Sequence, residues 1–109
     1  MMSIRGFGAR HIAQQLIRCG TSVGANVEEA QEGQSKADYI AKMSVSSKEA
    51  RETAYWLRLA IAVSCVKQAE VEWELREADE IRFMIRAAIR TARSSIDRGH
   101  SASNLRGEG

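Results

Sequence analysis

The longest regular pattern of apolar residues lies in the middle of the chain, between Ser35 and Val66. Small or apolar residues alternate there at intervals of three and four, at Ile40, Met43, Ser47, Ala50, Ala54, Leu57, Ile61 and Ser64. This heptad spacing predicts a helix over residues 36–66 that packs against other helices. Because Ser35 can accept a backbone hydrogen bond and Asp38 lies in the first turn, the sequence predicts that Ser35 is the N-cap.

Two further amphipathic patterns flank the central one. The earlier pattern has its apolar positions at Ile12, Leu16, Cys19, Val23, Val27 and Ala30. The later pattern has them at Val71, Leu75, Ala78, Ile81, Ile85, Ala88, Ala92 and Ile96. They predict helices over residues 9–31, with Gly33 as the stop, and 69–97. No glycine or proline marks a turn near residue 66, so one uninterrupted helix as far as Ile96 remains an alternative.

Composition supports an all-α antiparallel up-down helical bundle. The chain has 109 residues, 44% of them hydrophobic, and no proline. We expect a flexible lead-in over residues 1–8, one bundle domain over 9–97, and a disordered polar tail over 98–109. The two cysteines, Cys19 and Cys65, lie in apolar patterns and are expected to be reduced core residues. No signal-peptide pattern is present, so the expected compartment is the cytoplasm.

The second half of the central helix is apolar on nearly all sides. Arg58 is the one charged residue between Ala54 and Val66. Four large residues lie there outside the heptad positions, namely Tyr55, Trp56, Leu59 and Val63. Such a helix is buried on more than one side, and aromatic residues are enriched in buried contacts. We expect these four to form a self-association surface, while a thick single-domain core remains the alternative.

Glycines interrupt the first helix on one side. Gly20 and Gly24 are four residues apart, and each costs about 1 kcal/mol relative to alanine. Either the backbone of another helix approaches closely there, or the two positions are simply weak and tolerated.

Charge divides the third helix into two halves. The first half is acidic, with Glu70, Glu72, Glu74, Glu77, Asp79 and Glu80. The second half carries a row of arginines, Arg82, Arg86, Arg90 and Arg93. Their spacing of four, four and three places them on one stripe that could neutralise successive phosphates. The helix dipole favours the same polarity of charge, so a purely structural role is the alternative.

No arrangement of residues indicates catalysis. Three polar residues, Asn26, Glu29 and Glu52, lie close to the apolar stripes and could form a hydrogen-bonded network between helices. His11 and His100 do not form the Glu-x-x-His element of di-iron bundles. The chain contains no nucleophile elbow, phosphate loop or zinc-binding spacing. We therefore expect no enzymatic activity, no cofactor, no metal and no small-molecule substrate.

Three segments resemble a known family. They are Ser22-Val-Gly-Ala-Asn-Val-Glu-Glu-Ala30, Ser35-Lys-Ala-Asp-Tyr39 and Glu49-Ala-Arg-Glu-Thr-Ala-Tyr-Trp-Leu57. Together they resemble the four-helix-bundle 23S rRNA intervening-sequence proteins, whose fold also includes the accessory protein of diversity-generating retroelements. The resemblance extends over about residues 9–93. This sequence departs from the family pattern at Gly24, where a proline is common, and at Ala30, where a glycine is common.

The resemblance implies a non-enzymatic, ring-forming, pentameric protein, with RNA or a reverse transcriptase–ribonucleoprotein as the partner. No contact with a membrane is expected, because the apolar run from Ala54 to Val66 is too short to span a bilayer. A protein-interaction assembly that never contacts nucleic acid is the alternative. Family members usually carry a long helix before the one that contains the Ser22 segment, and the sequence predicts three helices where the family has four. We therefore expect an apolar groove between the helices that are present, and no stable monomer.

Overall fold

Three helices follow one another with short connections in a computed structural model. It describes the backbone of residues 4–107 and the side chains of residue 6 and residues 8–95. The helices are α1 (Ile4–Glu32), α2 (Lys36–Ala62) and α3 (Gln68–Gly107). Helix α2 packs against both α1 and α3, whereas the backbones of the described parts of α1 and α3 do not approach each other closely. No strand occurs over residues 4–107, so the predicted all-α class is confirmed.

The first connection begins and ends as the sequence predicts. The Gly33 amide donates a hydrogen bond of 3.2 Å to the carbonyl of Ala30, which closes α1. The Asp38 amide donates one of 3.1 Å to Ser35 Oγ. Ser35 has an extended backbone, with a φ of −148°, and is therefore the N-cap of α2.

The second connection shows that one uninterrupted helix to Ile96 is wrong. Helix α2 ends at Ala62, four residues before the predicted end. Ser64 has a φ of 62°, and the Cys65 amide donates to the carbonyl of Ala60 at 2.9 Å, so a left-handed residue closes the helix. The Glu70 carboxylate accepts a hydrogen bond of 2.8 Å from the Lys67 amide and thereby caps the start of α3.

The outer ends of α1 and α3 differ from the predicted boundaries. Helix α1 begins at Ile4, within the predicted lead-in, and α3 continues to Gly107, through most of the predicted tail. Once a helix is nucleated, each further residue is added at little cost, and no proline stops it at either end. The rest of the predicted lead-in and tail, residues 1–3 and 108–109, lies outside the described residues.

The core contains side chains from all three helices. Its central cluster consists of Ala30, Met43, Ile85 and Ile89, all at least 93% buried. Most predicted core positions are buried or half-buried, but the burial in α2 is shifted by one residue at two places. Ser46 and Ala60 are buried there instead of Ser47 and Ile61, which are half-buried.

One polar side chain is completely buried among the described residues. Ser46 has no exposed surface, and its hydroxyl donates a hydrogen bond of 2.8 Å to the carbonyl of Val23. A serine is small enough to let α1 and α2 approach each other, and its hydroxyl is satisfied by the facing backbone.

The described residues contain no helix that is long and apolar enough to cross a membrane.

Candidate nucleic-acid interface

The arginine stripe predicted on α3 lies along a surface groove between α2 and α3. Arg82 is half-buried, whereas Arg86, Arg90 and Arg93 are exposed. At about 1.5 Å of rise per residue, the three intervals are about 6, 6 and 4.5 Å long. The stripe is therefore a row about 16 Å long that faces one side of the helix pair.

Residues of α2 line the other wall of this groove. The groove is formed by Ser44, Ser47, Lys48, Arg51, Arg82, Arg86, Arg90 and Arg93, and is called the basic groove below. Two adjoining recesses in it measure about 310 and 260 Å³. The sequence analysis missed the four residues of α2. Lys48 and Arg51 lie three residues apart on the polar side of the helix, which is the signal that could have identified them, whereas Ser47 belongs to the predicted apolar stripe.

The six cations of the basic groove form no ion pair with a described carboxylate, although the charge of Lys48 acts on the nearby Glu52. Basic residues elsewhere do have such partners: Lys42 pairs with Glu29 at 2.8 Å, and Arg58 pairs with Asp79 at 3.7 Å. Six like charges along one groove repel one another, so binding of a polyanion would relieve that repulsion.

The three residues predicted to form a polar network do not contact one another. Asn26 donates to the carbonyl of Ser22 in its own helix at 2.9 Å, and Glu29 forms its ion pair with Lys42 at the surface. Glu52 faces α1 and contacts Arg18 instead. Glu29 and Glu52 thus each form a polar contact between α1 and α2, but the three residues do not join into one network. The three positions lie at different places along the helix pair, and each finds its own partner.

Arg18 is the centre of a polar cluster that the sequence analysis did not identify. Its guanidinium lies 3.3 Å from a Glu49 oxygen, 3.1 Å from a Glu52 oxygen and 3.1 Å from Cys19 Sγ. The hydrogen bond from Arg18 lowers the pKa of Glu52. Burial raises the pKa of Cys19 to about 11, so its thiol stays protonated at neutral pH.

This cluster also contains a possible set of metal ligands. The sulfur of Cys19 and one oxygen each of Glu49 and Glu52 lie within 4.8 Å of one another. The Arg18 guanidinium already supplies the positive charge at this place, and metal binding would require the Cys19 thiol to lose its proton. The arrangement fits an ionic link between α1 and α2.

The four residues predicted to form an association surface lie at one end of the α1–α2 pair. Trp56 packs edge-on against Tyr55 and His11, with ring centroids 5.3 and 5.6 Å apart. Trp56, Leu59 and Val63 line a recess of about 440 Å³. Tyr55 and Val63 are 55% and 45% exposed, so this surface is left uncovered by the described residues of the chain.

A second apolar surface lies between α1 and α3, over α2. This surface, called the apolar groove below, encloses about 280 Å³ and is lined by Gly20, Val23, Ala50, Thr53, Trp73, Glu74, Glu77, Ala78 and Ile81. Trp73 is 65% exposed. A Cβ atom added at Gly20 or Gly24 would meet no described atom of another helix within 4 Å, so no other described backbone approaches these glycines. The expected groove between the helices is therefore present.

The comparisons with known proteins agree with the helical fold. A family model for the 23S rRNA-intervening sequence protein matches residues 5–87. A crystal structure from Bacteroides thetaiotaomicron at 1.70 Å resolution, described as a protein of unknown function from the S23 ribosomal protein family, is 38% identical. The match covers 72% of each chain with a TM-score of 0.70. No curated protein matches the sequence. The chain therefore belongs to the 23S rRNA-intervening sequence protein family.

Proposed function

We propose that this protein is a non-enzymatic, homo-oligomeric scaffold that binds RNA or a ribonucleoprotein through the basic groove. The observation that carries the proposal is that basic side chains from both α2 and α3 line one groove. Lys48 and Arg51 of α2 face the arginine row of α3, and none of them forms an ion pair with a described carboxylate. The positive charge of the groove is therefore available to a binding partner.

The side chains of the basic groove suit phosphate oxygens. Arginine donates hydrogen bonds from a planar fork that matches phosphate geometry, and lysine adds a point charge. Ser44 and Ser47 lie in the same groove and supply hydroxyl donors, which are common in phosphate contacts. Repetition of the groove in a homo-oligomer would multiply a modest affinity, because each further contact becomes intramolecular. By family resemblance the oligomer is a pentamer.

A non-catalytic role is consistent with the chemistry of the described residues. Cys19 is fully buried, and its raised pKa of about 11 makes it a poor nucleophile. The family is named for an intervening sequence of 23S rRNA, which supports an RNA context. A ribonucleoprotein that contains a reverse transcriptase belongs to the same class of partner.

Charge reversal in the basic groove tests this proposal. Arg86→Glu together with Arg90→Glu should lower the affinity for RNA strongly and should reduce the magnitude of the salt slope by about two or more. Helix content should stay nearly unchanged, since both side chains are exposed. The measurement is fluorescence anisotropy with labelled RNA over a series of salt concentrations.

The matched control is Arg10→Glu together with Arg76→Glu. Two arginines are replaced by glutamate in each variant, so the control has the same net charge as the test variant. Arg10 and Arg76 are exposed, and neither lines the basic groove. We expect it to bind RNA much more tightly than the groove variant. Equal losses in both variants would show that net charge alone attracts RNA, and equal binding by the parent and the groove variant would remove the proposal.

A protein-interaction assembly that does not contact nucleic acid is the second candidate. The apolar groove favours it, because exposed apolar surface lined by Trp73 and Ile81 marks sites of interaction. A parent protein that associates with itself but shows no salt-dependent retention of RNA would favour this candidate over the first.

A further inference from the structure

The outer edge of the basic groove carries an exposed aromatic ring. Phe83 is 70% exposed, although phenylalanine has no polar atom to direct toward water. It lies in a recess of about 380 Å³ that it shares with Asp79, Arg82, Arg86 and Arg90. Every residue of this recess belongs to α3. The packing of the described residues does not explain why this ring is held among arginines at the surface.

The same arginines separate this recess from the serine side of the groove. Arg86 and Arg90 line the recess of Phe83 and also the recess that contains Ser44 and Ser47. They therefore form a ridge, with an aromatic ring on one side and hydroxyl groups on the other. In a single strand the sugar joins each base to the phosphate backbone, so a base placed on the Phe83 side brings the neighbouring phosphates next to the arginines.

We infer that the basic groove binds a single strand, with a base stacked on Phe83 and the neighbouring phosphates on the arginine ridge. The inference rests on the proposed function and names its substrate class. An aromatic ring can stack only on a base whose face is open, and the faces are covered within a duplex. The rise of about 6 Å between Arg82, Arg86 and Arg90 is comparable to the separation of successive phosphates along one strand.

Asp79 is the one acidic residue in the recess of Phe83. Its carboxylate lies 3.7 Å from the guanidinium of Arg58, so its negative charge is partly offset before a phosphate approaches. The recess therefore keeps a positive balance, with three arginines against one paired carboxylate.

The experiment compares three labelled probes of about 12 nucleotides, a length within the range of single-strand binding sites. They are an oligouridylate, a chain of the same length made of abasic sites, and an RNA duplex. Phe83→Ala should weaken binding of the oligouridylate by about tenfold and should leave binding of the abasic chain unchanged. Phe83→Trp should bind the oligouridylate at least as tightly as the parent. The control is Met84→Ala, because Met84 is the adjacent residue, is 61% exposed and does not line the recess.

The outcomes separate the two proposals. If Phe83→Ala binds the oligouridylate as the parent does, or if the duplex binds as tightly as the single strand, the stacking inference is overturned while RNA binding by the groove stands. If the parent binds none of the three probes, the proposed function fails, and the stacking inference fails with it.

Discussion

At the scale of single residues, the cluster around Arg18 shows how α1 and α2 are linked. Cys19 has no exposed surface, and Arg18 bridges it to Glu49 and Glu52 on the facing helix. The sequence placed Cys19 in the core correctly. Its ionic neighbours could not be predicted, because they depend on which turn of α1 faces which turn of α2. A heptad pattern fixes the face of a helix but leaves its axial position open.

Burial of the Cys19 thiol predicts that the protein loses stability at alkaline pH. The pKa of Cys19 is raised from 9.0 to about 11, so the folded state holds the proton more tightly than the unfolded state does. The resulting stability is present below pH 9 and is lost as the pH rises toward 11, at a rate of up to about 1.4 kcal/mol per pH unit. The free energy of unfolding should therefore fall faster in the parent than in Cys19→Ser over this range.

Denaturant titrations at several pH values measure this difference. The other titratable groups are the same in both proteins, so their contributions cancel in the comparison. Cys65→Ser, which removes a half-buried thiol, controls for thiol removal as such. Parallel pH profiles for the parent and Cys19→Ser would contradict the raised pKa.

At the scale of helices, the existence and type of each element could be predicted from the sequence, while their ends could be predicted only in part. Ser35 and Gly33 have side-chain or backbone chemistry that marks a boundary, and the structure confirms both. The end of α2 carries no such mark. Ser64 adopts a left-handed conformation there. A glycine or asparagine at this position would have predicted the end of the helix, but a serine does not. The sequence likewise could not predict that Lys48 and Arg51 line the same groove as the α3 arginines, because this depends on the relative rotation of the two helices.

Ser64 gives a prediction about the stability of the α2–α3 turn. Among the described non-glycine residues it alone has a positive φ, and a side chain in that conformation costs about 1–2 kcal/mol. Ser64→Gly should remove this cost and should raise the free energy of unfolding by about 0.5 kcal/mol, after the greater chain entropy of glycine is subtracted. Ser94→Gly is the control. Ser94 is exposed within α3, so glycine there should lower stability. A loss of stability in both variants would contradict the prediction.

At the scale of the whole molecule, two apolar surfaces and one basic groove point in different directions. The basic groove lies between α2 and α3, whereas the apolar groove lies between α1 and α3. The surface around Trp56 is a third region, at the end of the α1–α2 pair. A chain that associates through apolar surfaces would thus keep its basic groove accessible. This separation is what a scaffold that binds nucleic acid requires.

The last prediction is that the apolar groove takes part in self-association. The parent should sediment as an oligomer at low micromolar concentration, and its melting temperature should rise with protein concentration, as mass action requires. Gly20→Leu should weaken this association. A Cβ atom at that position would meet no described side chain and no backbone of another described helix within 4 Å, and Gly20 lines the groove, so we expect the leucine to occupy groove space.

The readout is the dependence on concentration, since replacing a helical glycine also stabilises the isolated helix by about 1 kcal/mol. Gln14→Leu adds the same side chain at an exposed position of α1 that does not line the groove, so it should associate as the parent does. If Gly20→Leu also associates as the parent does, the surface with Tyr55 and Val63 is the interface, and Tyr55→Lys should then disrupt it. A parent that stays monomeric, with a melting temperature independent of concentration, would contradict both interfaces, because neither apolar surface would need a partner in solution.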